Sequence, residues 1–256
     1  MKKITLIAII ALIVACAAQK RQKPTLFLIG DSTVKNGRDN GSNGQWGWGH
    51  YLPDFFDLGK INIENHALGG TSTKTFRTKG LWDSVLVKMK PGDYVIMQFG
   101  HNDASPLDDT ARARGTIRNN SDESKIIFNP ILKKQETVHS YGWYIRQFIK
   151  ETRAKGGIPI VCSLIPRNAW EDGKVRREGY VNWAREAAEQ EHTFFIDLNK
   201  LIATAYNEMG EQEVSSRFFG PTDHTHTIKE GAIFNAGKVV AGIEQTPKLQ
   251  LKKYLK

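Results

Sequence analysis

Cysteine is almost missing from this sequence: two occur in 256 residues, Cys16 and Cys162. Cys16 falls in an N-terminal apolar segment, which leaves Cys162 without a partner for an internal disulfide. A chain of this length builds a sufficient core without one. Cys162 lies in the apolar stretch Ile158-Pro159-Ile160-Val161-Cys162-Ser163-Leu164-Ile165. Nothing local supplies the electropositive, accessible setting that activates a thiol, so it reads as a small buried hydrophobe. Long apolar runs are missing as well. The run at residues 4–14 is too short for a membrane span, which takes roughly 20 residues. There is no internal repeat or low-complexity segment. No nucleic-acid motif accompanies the net charge of +9, so the charge is not a nucleic-acid footprint.

What is present begins at the N-terminus. Lys2 and Lys3 precede the short apolar run, and the small residues Ala15, Cys16, Ala17 and Ala18 follow it. This order predicts a signal peptide over residues 1–18 and an extracytoplasmic protein, periplasmic or secreted. A buried first helix is the alternative. Ile13-Val14-Ala15-Cys16 also resembles a bacterial lipoprotein cleavage box, in which Cys16 would carry a lipid anchor to the membrane. Ala15-Cys16-Ala17 fits ordinary cleavage equally. Removing Lys2 and Lys3 leaves +7, and Lys248, Lys252, Lys253 and Lys256 hold four of those charges. The chain then divides into a main domain at 24–245 and a basic C-terminal tail at 246–256. A basic surface suits acidic partners, and for an exported protein an acidic polysaccharide rather than nucleic acid; a merely solvated surface reads the same way.

After residue 23, short apolar runs alternate with amphipathic stretches. Strands are predicted at 25–29, 61–67, 94–99, 158–164 and 193–198. Helices are predicted at 48–56, 81–88, 138–153, 180–190, 198–208 and 229–243. The alternation predicts an α/β fold, a parallel sheet covered on both faces. Ligands bind such sheets outside the carboxyl ends of the strands. The residues that follow each strand therefore matter most: Gly30-Asp31-Ser32, Leu68-Gly69-Gly70, Gly100-His101-Asn102-Asp103 and Pro166-Arg167-Asn168. The polar, weakly periodic segment 104–137 reads as an insertion near the site, a lid or a substrate wall, or as a surface loop.

Ser32 follows a buried strand and a glycine that permits a sharp turn. Alone it reads as a helix N-cap or as a nucleophile. A serine hydroxyl needs a base to take its proton, and the base needs a carboxylate to fix its tautomer. Asp223-His224-Thr225-His226 supplies both, with Asp223 and His226 three positions apart and His224 directed elsewhere. A helix cap by Asp223 and a metal site using His224 and His226 are the competing readings; no familiar zinc spacing completes the latter. An ester's tetrahedral intermediate needs donors aimed at its oxyanion, and the N–H groups of Ser32 and Gly70 and the amide of Asn102 suit that purpose. Trp46 and Trp48 suit a sugar platform or the core. Arg77 and Lys79 suit a uronate carboxylate or solvent. Asp31, His101 and Asp103 suit loop bracing.

Four blocks in order, Gly30-Asp31-Ser32-Thr33, Ala67-Leu68-Gly69-Gly70, Gly100-His101-Asn102-Asp103 and Asp223-His224-Thr225-His226, resemble those of the SGNH, or GDSL-like, hydrolases. They span residues 30 to 226. Within that family the chain is most similar to the rhamnogalacturonan acetylesterases, through Gly30-Asp31-Ser32-Thr33-Val34, Gly44-Gln45-Trp46-Gly47-Trp48-Gly49, Asn65-His66-Ala67-Leu68-Gly69-Gly70-Thr71-Ser72, Gln98-Phe99-Gly100-His101-Asn102-Asp103 and Thr222-Asp223-His224-Thr225-His226-Thr227. The resemblance implies a three-layer α/β/α sandwich around a central five-stranded parallel sheet, flavodoxin-like. It implies Ser32, His226 and Asp223 as catalytic residues and Ser32, Gly70 and Asn102 as the oxyanion hole. It implies no metal or cofactor, and removal of acetyl groups from pectic polysaccharide through an acyl-enzyme. The alternatives are a lipolytic or general acyl esterase, and a sugar-binding protein on a hydrolase fold. The insertion at 104–137 departs from the smallest members and leaves the polymer and acetylated position open.

Overall fold

A computed structural model describes residues 23–256 apart from 178. Residues 1–18, read above as a signal peptide, and Cys16 among them lie outside the described residues. In chain order the strands are β1 (Thr25–Gly30), β2 (Asn62–Asn65), β3 (Tyr94–Gln98), β4 (Ser124–Asn129), β5 (Lys134–His139), β6 (Ile158–Cys162), β7 (Trp170–Glu171), β8 (Lys174–Val175) and β9 (Phe194–Ile196). The helices are α1 (Thr73–Thr78), α2 (Leu81–Lys88), α3 (Tyr141–Ala154), α4 (Gly179–Gln190), α5 (Leu198–Met209), α6 (Glu211–Phe218) and α7 (Lys229–Gln245).

Five strands make one all-parallel sheet in the order β2-β1-β3-β6-β9. Its inner strands are apolar on both faces because both are covered. Leu26, Leu28, Ile96, Ile160 and Cys162 pack under α5 and α7, while Phe27, Ile29, Val95, Met97 and Val161 pack under α2, α3 and α4. Successive side chains of a strand point to opposite faces, so one uninterrupted apolar run feeds two cores. This is the expected α/β/α sandwich. Cys162 is a buried free thiol whose pKa burial pushes up.

The structure departs from the predicted elements where caps and prolines intervene. Residues 48–56 form two short 3₁₀ turns, Trp48–His50 and Leu52–Phe55, instead of a helix. Pro53 lacks an N–H for a helix interior. A Cβ on Gly49 would lie 2.8 Å from the Val34 carbonyl oxygen, so the chain is pressed against its neighbour there. α3 starts at Tyr141, not 138, because the Ser140 hydroxyl caps it, accepting from Trp143 N–H at 3.0 Å. Val138 belongs to β5. The insertion carries the antiparallel hairpin β4–β5, which its weak periodicity concealed. Residues 246–256, set apart above as a basic tail, belong to the domain. Leu249 and Leu251 are fully buried, and Lys256 N–H donates to the Phe55 carbonyl at 3.0 Å.

Candidate active site

The loops that leave β1, β2 and β3 converge at one end of the sheet. Gly30 closes β1 where a Cβ would come within 2.6 Å of the Gln98 carbonyl oxygen on β3, so only glycine lets the two chains approach this closely. The chain then turns: the Asp31 carbonyl accepts from Val34 and Lys35 N–H at 3.2 and 3.0 Å. Ser32 sits at the head of that turn. A buried relay holds it from below. Asp31 Oδ1 accepts from Thr33 N–H and Oγ1 at 2.9 and 2.7 Å, Gln98 Nε2 donates to Thr33 Oγ1 at 2.6 Å, and Trp48 Nε1 donates to Gln98 Oε1 at 2.8 Å.

Ser32 Oγ lies 2.7 Å from His226 Nε2, and His226 Nδ1 lies 2.8 Å from Asp223 Oδ2. The 194 positions between Ser32 and His226 are closed by a strand-like splice. Trp46 and Thr227 pair antiparallel, Trp46 N–H donating to the Thr227 carbonyl at 2.9 Å. The splice also delivers Gln45, whose Nε2 donates to Asp223 Oδ2 at 3.1 Å. Asp223 Oδ1 accepts the N–H groups of Thr225 and His226, each at 2.9 Å. Partial burial works against the Asp223 charge. The two backbone donors and the imidazole more than offset it and hold the carboxyl at about 2. An ionised Asp223 fixes the Nδ1–H tautomer of His226 and leaves Nε2 to accept from the Ser32 hydroxyl.

Gly70 has φ +78°, a left-handed conformation suited to glycine, and no backbone carbonyl among the described residues takes the N–H of Gly70 or of Ser32. The Asn102 amide gives one hydrogen to the Thr71 carbonyl at 2.8 Å, which fixes its plane. Asp103 ties these loops together: its Oδ1 accepts from Thr73 N–H at 3.1 Å, Thr73 Oγ1 at 2.5 Å and Thr116 Oγ1 at 3.3 Å. His101 is buried, and desolvation, Arg167 and His226 keep its imidazole neutral by holding its pKa far below the ordinary value.

Ser32, Gly70, Asn102 and His226 all line one cleft of about 770 Å³. Its cationic residues are Lys35, Arg38, Lys79, Arg112, Arg114 and Arg167, and no aspartate or glutamate lines it among the described residues. Three expected substrate contacts are elsewhere. Trp48 is fully buried beneath the Ser32 turn, where its N–H is committed to Gln98. The Trp46 ring lies on Gly41, where a Cβ would come within 2.4 Å of it, and it faces Tyr51 rather than the cleft. Arg77 forks onto Glu151 at 2.7 and 2.8 Å and covers the Phe148 ring at 5.3 Å. His224 is exposed and offers its carbonyl to Asn168 N–H at 2.8 Å. Sequence reasoning did not single out Gln45, Arg112 or Arg114. Gln45 stands in a quoted block and Arg167 in a strand-end segment, so a signal existed for both. Arg112 and Arg114 carry none beyond membership of the insertion.

A parallel α/β sandwich carries a serine, a histidine and an aspartate in hydrogen-bonded series beyond its strand ends, and its family and relatives make the chain an ester-hydrolysing enzyme. The chain belongs to the GDSL-like lipase/acylhydrolase family, whose model matches residues 28–227. It is 30% identical over 211 residues to the rhamnogalacturonan acetylesterase of Emericella nidulans, covering 81% of this chain and 80% of that one. It is 30% identical over 227 residues to the probable rhamnogalacturonan acetylesterase YesY of Bacillus subtilis, covering 86% and 92%. The crystal structure of Bacillus subtilis YxiM superposes with a TM-score of 0.70 at 26% identity; the match covers 88% of this chain and 57% of that longer one.

Proposed function

We propose that this protein is an exported carbohydrate esterase that removes acetyl groups from acidic, pectic polysaccharide by a Ser–His–Asp acyl-enzyme mechanism. The observation that carries the reading is the series Ser32 Oγ, His226 Nε2 at 2.7 Å, and His226 Nδ1, Asp223 Oδ2 at 2.8 Å, opening into a cationic cleft. Ser32 Oγ attacks the acetyl carbonyl carbon as His226 Nε2 takes its proton. The N–H groups of Ser32 and Gly70 and the Asn102 amide stabilise the oxyanion. The intermediate collapses, the sugar oxygen leaves with the proton from His226, and Ser32 holds the acetyl group. Water, deprotonated by His226, then attacks the acetyl-serine carbonyl; the bond to Ser32 Oγ breaks, Oγ takes the proton back from His226, and acetate is released. Asp223 stays ionised and supports the imidazolium in both halves.

The substrate class is supported by the names of the two relatives with 30% identity and by the charge of the cleft. The cleft does not suit long acyl chains, since Leu68 is its one large apolar lining residue among the described residues. Export is supported by the sequence of residues 1–18, and a lipid on Cys16 is one form of it. Acetate release from acetylated rhamnogalacturonan, polygalacturonate and xylan tests the reading. Ser32→Ala is expected to lower the rate on the best substrate by a factor of at least about 10⁴ while leaving the thermal transition in place. Undiminished activity in that variant overturns the mechanism, and a preference for long acyl esters overturns the substrate class.

A further inference from the structure

The insertion brings two arginines over the residue proposed above as an oxyanion donor. A Cβ on Gly70 would lie 3.2 Å from Arg112 Nη1 and 3.9 Å from Arg114 Nη1, so both guanidinium groups border that glycine. Their loop is pinned. Asp109 Oδ1 accepts the N–H groups of Ala111 and Arg112 at 2.9 and 3.1 Å, and the Asp109 carbonyl accepts from Ala113 N–H at 2.9 Å. Ala113, buried between the arginines, is held at φ +44°, a conformation L-residues seldom adopt. Gly115 is packed where a Cβ would sit 2.0 Å from the Ser105 carbonyl oxygen. Arg114 is braced by Nε to Ser105 Oγ at 2.9 Å and Nη1 to the Gly70 carbonyl at 3.4 Å. The Arg112 side chain has no hydrogen bond or ion pair among the described residues.

Two like charges held side by side by a strained, braced loop repel each other, and their mutual field lowers the pKa of Arg114 beyond the effect of its burial. The acids whose charge acts on Arg114 are each bonded elsewhere through Oδ1. Asp31 and Asp103 are buried and bonded to threonines, and Asp109 is bonded to its own loop. An unneutralised guanidinium pair lining a cleft is suited to a planar anion, which guanidinium binds through paired N–H···O bonds.

We propose that Arg112 and Arg114 form a carboxylate-binding subsite beside Gly70, selecting a uronate that is the acetylated sugar or its immediate neighbour. The proposal rests on the esterase reading for its place in catalysis, but binding of the anion does not depend on turnover.

The test uses Arg112→Gln, Arg114→Gln and the two Arg→Lys variants. Wild type and variants are assayed on acetylated oligogalacturonate and on neutral acetylated xylo-oligosaccharide. Unacetylated oligogalacturonate serves as the inhibitor of the neutral reaction. Each Gln variant is expected to lower the acidic-to-neutral ratio of kcat/KM by about tenfold or more and to weaken inhibition by a similar factor, the Lys variants less. An unchanged ratio with unchanged inhibition overturns the proposal. Equal losses on both substrates also overturn it, in favour of a role at the acyl carbonyl. Should Arg114→Gln fail to fold, Arg112→Gln alone decides, since the Arg112 side chain bonds to nothing among the described residues. If wild type hydrolyses neither ester, the esterase reading fails. Calorimetric titration with oligogalacturonate then still decides the subsite, and absence of binding by wild type overturns it.

Discussion

Asp223 accepts from four donors: the N–H groups of Thr225 and His226, the imidazole and the Gln45 amide. With its carboxyl at about 2, it is a carboxylate throughout the neutral range. The donors have unequal consequences. Asp223→Asn places an amide beside Nδ1 and removes the charge that supports the imidazolium, so kcat on an acetyl ester should fall by about 10³–10⁴. Gln45→Ala removes one donor from an otherwise well-held carboxylate, so the loss should be about tenfold. Gln45→Glu sets a second negative charge against Asp223 and should cost more than the alanine. Steady-state kcat on one acetyl ester checks the ranking, and Gln45→Glu matching wild type would sink the assignment of Gln45 as a donor.

Between elements, the carboxyl of Asp103 joins the β3 loop to the start of α1 through Thr73 and to the inserted wall through Thr116. Burial pushes it up to about 7, with Asp31 adding to the rise and the Thr73 and Thr116 donors opposing it. A carboxyl whose folded pKa is raised binds more protons folded than unfolded. Stability is therefore full below about 4, falls as pH climbs towards 7, and levels off above. Asp103→Asn keeps an acceptor for the threonines and cannot ionise. Urea unfolding at pH 5 and pH 8 should show wild type losing on the order of 2 kcal/mol more than the variant over that interval. Identical pH slopes would show that Asp103 is ionised in the fold. Arg77 illustrates the same level of organisation: its fork onto Glu151, which also accepts from Trp82 Nε1 at 2.5 Å, fastens α1 and α2 to α3.

The molecule as a whole is closed by its last residues. The 3₁₀ turn Gln250–Tyr254 buries Leu251 in the core that covers one face of the sheet, and Leu249 just before it is buried there too. The Tyr254 carbonyl accepts from Asp57 N–H at 2.8 Å, and its ring meets Tyr94 at 6.1 Å. Two fully buried leucines are worth about 1.5–3 kcal/mol each, against a total stability of about 5–15 kcal/mol for a typical domain. Deletion of residues 248–256 should lower the thermal midpoint sharply or abolish the cooperative transition. A midpoint within a degree or two of wild type would mean that the segment only rests on the surface.

Much of this was legible before any coordinates. β1, β3 and β6 are buried on both faces, so each reads as an apolar run whatever its partners. In a parallel sheet each strand's carboxyl end lies at the same edge, so Ser32, Gly70 and Asn102 had to share one rim. Ser140 as a cap, and Pro53 with Gly49 as breakers, were local signals that periodicity over 138–153 and 48–56 overrode. Side-chain direction was not legible. Trp48 turns inward because Gln98 offers its indole N–H a buried acceptor, and Arg77 turns away because Glu151 presents a matching fork. Gln45 reaches Asp223 across 178 positions only through the pairing of Trp46 with Thr227. Arg112 and Arg114 sit in a segment without periodicity, where nothing local says which way a charge points. Sequence alone determined the parallel sheet and the shared rim of Ser32, Gly70 and Asn102, because burial and chain order are written residue by residue; the link from Ser32 to His226 and Asp223 came from the family resemblance. The cationic wall and the brace behind the histidine were decided by tertiary structure, because a polar side chain takes its direction from partners that are near in space and far in sequence.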